Sequence, residues 1–218
     1  MEIDHVFVFV EPDGAELEYL NSLGLVETYS RVHPGQGTQN SCFCFDNMFL
    51  ECLWVSDVGE LRSELVARTG LYERSQWRTA GTSPFGIAWR TTENDEKFDP
   101  KTWAFQPPYL PVGMAIDVSV DGDDPRQPMM FKSPGATPPE QWAPERRREL
   151  QKSAGLGRIL ALRLELPRDI APSPTLEALA HSTFLDVLSV SSKMPSLTCE
   201  IEKLNQDAPL VIRLPVYS

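Results

Sequence analysis

Histidine is scarce in this chain: His5, His33 and His181 are the only three in 218 residues. Imidazole can exchange a proton near neutral pH or donate a nitrogen to a metal. His5 stands inside the run IDHVFVFV, and Glu51 stands inside FLECLWV. Both runs read as strands. A carboxylate in mid-strand is costly to bury unless it is paired or bound to a metal. Brought to one surface, His5 and Glu51 would make a partial site for a divalent ion of borderline or hard character. Such an ion would act as a Lewis acid on adjacent oxygens while a carboxylate moves the proton. Glu51 is then either metal ligand or catalytic base, and His33 is the other base candidate. Plainer roles compete with each assignment. His5 can be a satisfied core residue, Glu51 can face solvent beside a groove, and His33 can cap a turn. His181 comes at the end of a helical pattern, where a cation complements the helix dipole.

His33 opens the stretch HPGQGTQN. Gly35 and Gly37 can take the positive φ that reverses the chain. Pro34 holds His33 extended. An extended residue entering a glycine turn is aimed at an open mouth more readily than under a helix layer. The strand-like SCFCF follows, so this is not a phosphate-cradling loop, which leads into a helix.

The elements that position these residues are legible in outline. Ile3 to Val10 is a strand with His5, Phe7 and Phe9 on one face and Asp4, Val6 and Val8 on the other. Asp13 precedes a helix over 14–23 whose apolar side is Leu17, Leu20 and Leu23. LVETYSRV is the next strand, and NSCFCF with MFLECLWV makes a hairpin around Asp46 and Asn47. A second helix runs from Asp57 to Gly70. FGIAWRT and MAIDVSV are strands, set among more than half of the nineteen prolines. A polar helix is expected over 139–153. RILALRLELP, SPTLEALA and the pair SLTCEIEKL and PLVIRLPV repeat the opening order of strand, proline, helix and hairpin.

Composition narrows the partners. Hydrophobic residues make up 41%, charged residues 23%, and the net charge is −11. Nucleic acid and anionic membrane are poor partners for such a surface. The basic run Arg146 to Arg148 lies between Glu145 and Glu149 and reads as a solvated helix face. No run is long and apolar enough to span a bilayer. The acidic Asp4 so near the start reads against a signal peptide, and the four cysteines read as reduced cytoplasmic thiols. Cys42 and Cys44 share a strand face, but zinc sites prefer two-residue spacers in turns.

DHVFVFV, HPGQGTQN and FLECLWV, in that order and spacing, resemble the glyoxalase-like domain of the vicinal oxygen chelate superfamily over residues 1–55. SPFGIAWRT resembles that domain's following strand. The resemblance implies an α+β fold in which paired βαβββ modules form a curved mixed sheet around a cup. It implies one domain over 1–218, with 1–55 as first module, 85–120 plus 158–216 as a diverged second module, and 121–157 as an insertion. Metal-using members take ligands from the first and last strands of each module. Carried over, His5 is the first-strand ligand and Glu51 the last-strand ligand of one divalent metal ion. The second module offers no matching histidine or acid, with Leu160 standing where His5 would. His33, Thr38 and Asn40 match the loop motif and would line the cup mouth. The function implied is a metal-assisted lyase, isomerase or dioxygenase-type reaction on a small oxygenated substrate. The alternative is a binding or sequestering protein whose cup, lined by Phe7, Phe9, Phe43, Trp54 and Trp89, holds a planar apolar ligand. The resemblance leaves room for a homodimer.

Overall fold

The computed structural model describes residues 1–92 and 98–216. The chain opens with strand β1 (Glu2–Phe9), helix α1 (Ala15–Ser22) and strands β2 (Tyr29–His33), β3 (Thr38–Cys44) and β4 (Phe49–Val55). Four short helices follow: α2 (Val58–Leu61), α3 (Glu64–Ala67), α4 (Leu71–Ser75) and α5 (Trp77–Ala80). Strands β5 (Phe85–Arg90), β6 (Thr102–Phe105), β7 (Ile116–Ser119) and β8 (Met129–Lys132) come next, then the one-turn helix α6 (Pro144–Arg147). The last part is β9 (Leu156–Pro167), α7 (Pro174–Ser182), β10 (Leu185–Val190), β11 (Ser196–Lys203) and β12 (Leu210–Leu214). The class is α+β. Among the described residues no helix is long and apolar enough to cross a membrane.

Strands β1 to β8 form one mixed, curved sheet in the order β2-β3-β4-β1-β5-β8-β7-β6. Its two halves repeat one pattern. β1 pairs parallel with β4, and β5 pairs parallel with β8. The antiparallel β1–β5 pair joins the halves. Two strand rows therefore cross the seam. One is Phe49, His5, Ala88 and Phe131; the other is Glu51, Phe7, Gly86 and Met129.

The back of this sheet carries Val6, Val8, Leu50, Ile87 and Trp89. Leu20 of α1 packs there, and so does the inner face of a second sheet, β10-β9-β11-β12. The front face carries Phe7, Phe9, Leu53 and Phe131, and one end of it is filled by Leu61, Val66, Leu71 and Trp77 from the short helices. What remains open on the front is the cup.

The strand pairing departs from the sequence expectation in one respect. The short run Met129–Lys132, inside the expected 121–157 insertion, is β8 and completes the second half of the large sheet. Residues 156–214 instead build the sheet that covers the back. The repeated strand-proline-helix order of β9 and α7 is real, but α7 leads into a parallel neighbour of β9 rather than a module of the cup. The polar helix expected over 139–153 is also interrupted. Its pattern supports only α6 and two 3-10 turns, Pro139–Gln141 and Lys152–Ala154, because Arg148 and Leu150 take φ of 50° and 52° and break the repeat.

Candidate functional site

The cup is a cavity of about 610 Å³. Its floor is built at the start of β1. The β1–β5 register shifts between Ile3 and His5, so Asp4 is an extra residue without a partner. A bulge of this kind breaks the period-two alternation. Both Asp4 and His5 therefore line the cavity. Asp4 Oδ2 lies 2.7 Å from His5 Nδ1. On its other oxygen, Asp4 accepts from Arg90 Nη1 at 3.1 Å. Arg90 is buried and is itself held by Glu2 and by the carbonyl of Asn47. Burial would raise the Asp4 pKa, but the bonds to His5 and Ser133 and the Arg90 charge outweigh it and hold the carboxyl below its usual value. Asp4 is thus ionised at neutral pH. A neutral His5 then places its proton on Nδ1, toward Asp4, and leaves Nε2 as the free atom.

His5 Nε2 faces Glu51 Oε2 at 3.6 Å. Both residues are nearly buried, at 8% and 7% exposure. The other Glu51 oxygen accepts from Asn40 Nδ2 at 2.6 Å, and Asn40 Oδ1 accepts from the backbone N–H of Arg31 at 2.8 Å. The His5 ring is stacked on Phe49 at 4.3 Å and 14°, and Phe131 meets it edge-on at 5.4 Å. The imidazole can neither tilt nor swing freely between those rings.

His33 lies on the same cavity, buried, with Gly35 and Gly37 after it at φ of 79° and 76°. Its Nδ1 is 2.9 Å from Thr38 Oγ1. Gln36 Nε2 also donates to Thr38 Oγ1, and Tyr109 O–H donates to Gln36 Oε1. Burial lowers the His33 pKa, Arg31 and His5 lower it further, and Glu51 only partly offsets them. Thr38 is fully buried and acts on the cup through His33 rather than by lining it.

Of the expected site residues, the structure brings His5, Glu51, His33, Asn40 and Phe7 to one cavity. Trp54 and Trp89 are elsewhere. Trp89 is buried in the back cluster against Phe98, and Trp54 packs half-buried on that cluster. Phe43 is on the back face too, and Phe9 lies among the short helices. The aromatic wall is built instead from Tyr29, Phe49, Phe131 and Trp142. Asp4, Arg31, Tyr109 and Arg146 also line the cavity without having stood out in the sequence. Only Asp4 had a readable signal, its position beside His5. Cys42 and Cys44 are sealed beneath Tyr29 and Phe49, and burial pushes the Cys44 thiol up to about 12. They are packing residues, not ligands.

His5 Nε2 and Glu51 Oε2 are spaced so that one ion could touch both. The second half supplies nothing further: its positions in the two rows are Gly86, Ala88, Met129 and Phe131. Asp4 points its oxygens at His5 Nδ1 and Arg90. Among the described residues no group of three or more His, Cys, Asp or Glu side chains is arranged to hold a metal. Zinc sites use three or four protein donors, so these two side chains do not fit a zinc ion held by the protein alone.

The large sheet thus pairs two halves around a half-polar, half-aromatic cup. Residues 3–107, from β1 through β6, match the family described as glyoxalase-like domain. Over that stretch, somewhat under half of the chain, the protein is similar to the glyoxalase-like family. No curated protein matches it. Among solved structures, it is similar to a hypothetical protein from Staphylococcus aureus, at 10% identity and a TM-score of 0.45, over 87% of this chain and 86% of that one. It is similar to methylmalonyl-CoA epimerase from Mycobacterium tuberculosis at 13% identity and a TM-score of 0.36, over 60% and 85% of the two chains. It is also similar to the Streptomyces coelicolor methylmalonyl-CoA epimerase in complex with 2-nitronate-propionyl-CoA, at 14% identity and a TM-score of 0.36, over 61% and 97%.

Proposed function

We propose that the cup is the active site of a lyase or isomerase that moves a proton at a carbon beside a carbonyl, on a small oxygenated substrate. The line Asp4, His5, Glu51 carries this reading. His5 Nε2 is the proton acceptor. Asp4 fixes the tautomer and stabilises the imidazolium once it forms, and Glu51 offsets the same charge from the other side. Asn40 holds one Glu51 oxygen, which leaves the other facing His5. Returning the proton to a neighbouring atom isomerises the substrate; loss of a leaving group from the carbanion makes the reaction a lyase step. His33 is a second proton carrier at the same cavity. No step runs through an ion, because the donor set is incomplete. Four free, buried cysteines support a cytoplasmic setting.

Incubation in D2O with a panel of 2-oxoacids and 2-hydroxyketones tests this, with proton NMR following the C–H signal. At least one compound should lose that signal faster with wild type than with His5→Gln, and dialysis against EDTA should not slow it. Exchange that needs a returned divalent ion would overturn the metal-free relay. No exchange from any compound would remove the catalytic reading. The aromatic wall of Tyr29, Phe49 and Trp142 favours a second reading, binding without turnover. Tight binding of an aromatic ligand that His5→Gln leaves intact would establish it.

A further inference from the structure

The mouth of the cup carries two guanidinium groups whose role the proton relay does not explain. Of the twenty lysines and arginines in the chain, only Arg31 and Arg146 line the cavity among the described residues. They come from different elements, Arg31 from β2 and Arg146 from α6. Each lies over an aromatic ring of the rim. Arg31 is 5.1 Å from the Tyr109 ring centre and also donates to the Tyr109 carbonyl; Arg146 is 3.7 Å from the Trp142 ring centre. Neither has a carboxylate within ion-pairing distance among the described residues, although Arg68, Arg78, Arg90, Arg126, Arg158 and Arg213 all do. Stacking restricts a guanidinium while leaving its fork of N–H groups available.

The charge layout of the cavity is polarised. Asp4 and Glu51 put negative charge at the floor beside His5. Arg31 and Arg146 put positive charge at the mouth. An anion is repelled by the floor and by the net charge of −11, and it is attracted only at the rim. We infer that the ligand of this cup is a small organic anion whose carboxylate or phosphate is clamped between Arg31 and Arg146. Planar forks of this kind match either group. Its carbonyl-bearing end then reaches down to His5 Nε2. Arg31 is also tied to the floor, since its own backbone N–H holds the Asn40 side chain that holds Glu51. The clamp and the proton acceptor are thereby set at a fixed spacing, which selects ligand length.

This inference rests on the cup as the ligand site, not on turnover. Malonate, inorganic phosphate and the neutral malonamide are the probes, with intrinsic tryptophan fluorescence as readout because Trp142 forms the wall under Arg146. Wild type should bind malonate or phosphate and not malonamide, and added salt should weaken the binding. Tighter malonate assigns a carboxylate; tighter phosphate assigns a phosphate ester. Arg31→Gln and Arg146→Gln should each weaken binding about tenfold or more, with unchanged melting temperature because both side chains are exposed. Malonamide binding as well as malonate, full affinity in the double variant, or no binding of either anion would overturn the clamp. Anion binding without any exchange in D2O would sink the proton-transfer reading alone. Exchange on a neutral compound with no anion binding would sink the clamp alone.

Discussion

The two halves of the large sheet have the same strand order and differ in what they present to the cup. The first half presents His5, Asn40 and Glu51; the second presents Gly86, Ala88, Met129 and Phe131 in the matching rows. Arg90, at the seam, is the second half's one charged contribution to the floor, and it serves Asp4 of the first half. The fold therefore separates two tasks that a symmetric site would share. One half holds the polar chain, and the other sets shape and excludes water. A polar chain of this length is stable in a buried site because each member has a partner, and it would fail as a half-satisfied network. The apolar half keeps the local dielectric low, which strengthens the electrostatics of the polar half.

The largest test of this division is kinetic. His5→Gln should reduce proton exchange by about 10²- to 10⁴-fold, the usual contribution of a positioned acid or base. Met129→Leu, on the Glu51 row, should change the rate less than tenfold, because it removes no proton carrier. Comparable losses from both variants, measured by NMR in D2O, would break the division and make the cup a single packed unit.

A smaller effect concerns shape. Gly86 faces Phe7 across the seam, and an added Cβ would lie 2.0 Å from the Phe7 ring. The ring would have to move into the cup. Gly86→Ala should cost about 1–3 kcal/mol, the range for overpacking, read as a lower denaturant midpoint. It should also weaken ligand binding more than it alters His5 chemistry. An unchanged midpoint would show that the second half yields, and is not the rigid wall described.

The legible parts of this fold were those fixed by local pattern. The alternation in IDHVFVFV, the Asp46–Asn47 turn and the glycines after His33 specify β1, the β3–β4 hairpin and the loop between β2 and β3. The bulge at Asp4 was hidden because a register shift depends on the partner strand, Trp89 and Ala88, and not on β1 alone. β8 was hidden because MMFK is only four residues among prolines, too short for periodicity to count. Trp54 and Trp89 show a different failure. Glu51 and Leu53 share a face, so Trp54 must take the other, and Ala88 in the cup row puts Trp89 on the back. Aromatic character had suggested a cup lining where alternation already denied it. Arg31, Tyr109 and Arg146 meet only in three dimensions, from β2, a proline-rich connection and α6.

The smallest effect is a pH dependence that belongs to the first half alone, since no cup residue of the matching second-half rows titrates near neutrality. Burial, with Arg31 and His5, keeps the His33 pKa below the ordinary histidine value, and Glu51 does not restore it. The unfolded chain therefore takes up a proton at His33 at a higher pH than the folded chain. The stability from keeping His33 neutral is fully present above the unfolded value, about 6.5, and is lost as pH falls below it. Asp4 acts in a separate window. Its folded pKa is also depressed, so its contribution persists until pH falls through the carboxylate range, below about 3.9. One proton can tilt stability by at most about 1.4 kcal/mol per pH unit. His33→Gln should keep a side-chain hydrogen bond toward Thr38 and remove the titration. Denaturant unfolding at about pH 7 and about pH 5 should then show a smaller stability loss for the variant than for wild type. An equal or larger loss in the variant would mean that His33 is protonated in the fold, and Glu51 rather than burial would then govern that corner of the cup.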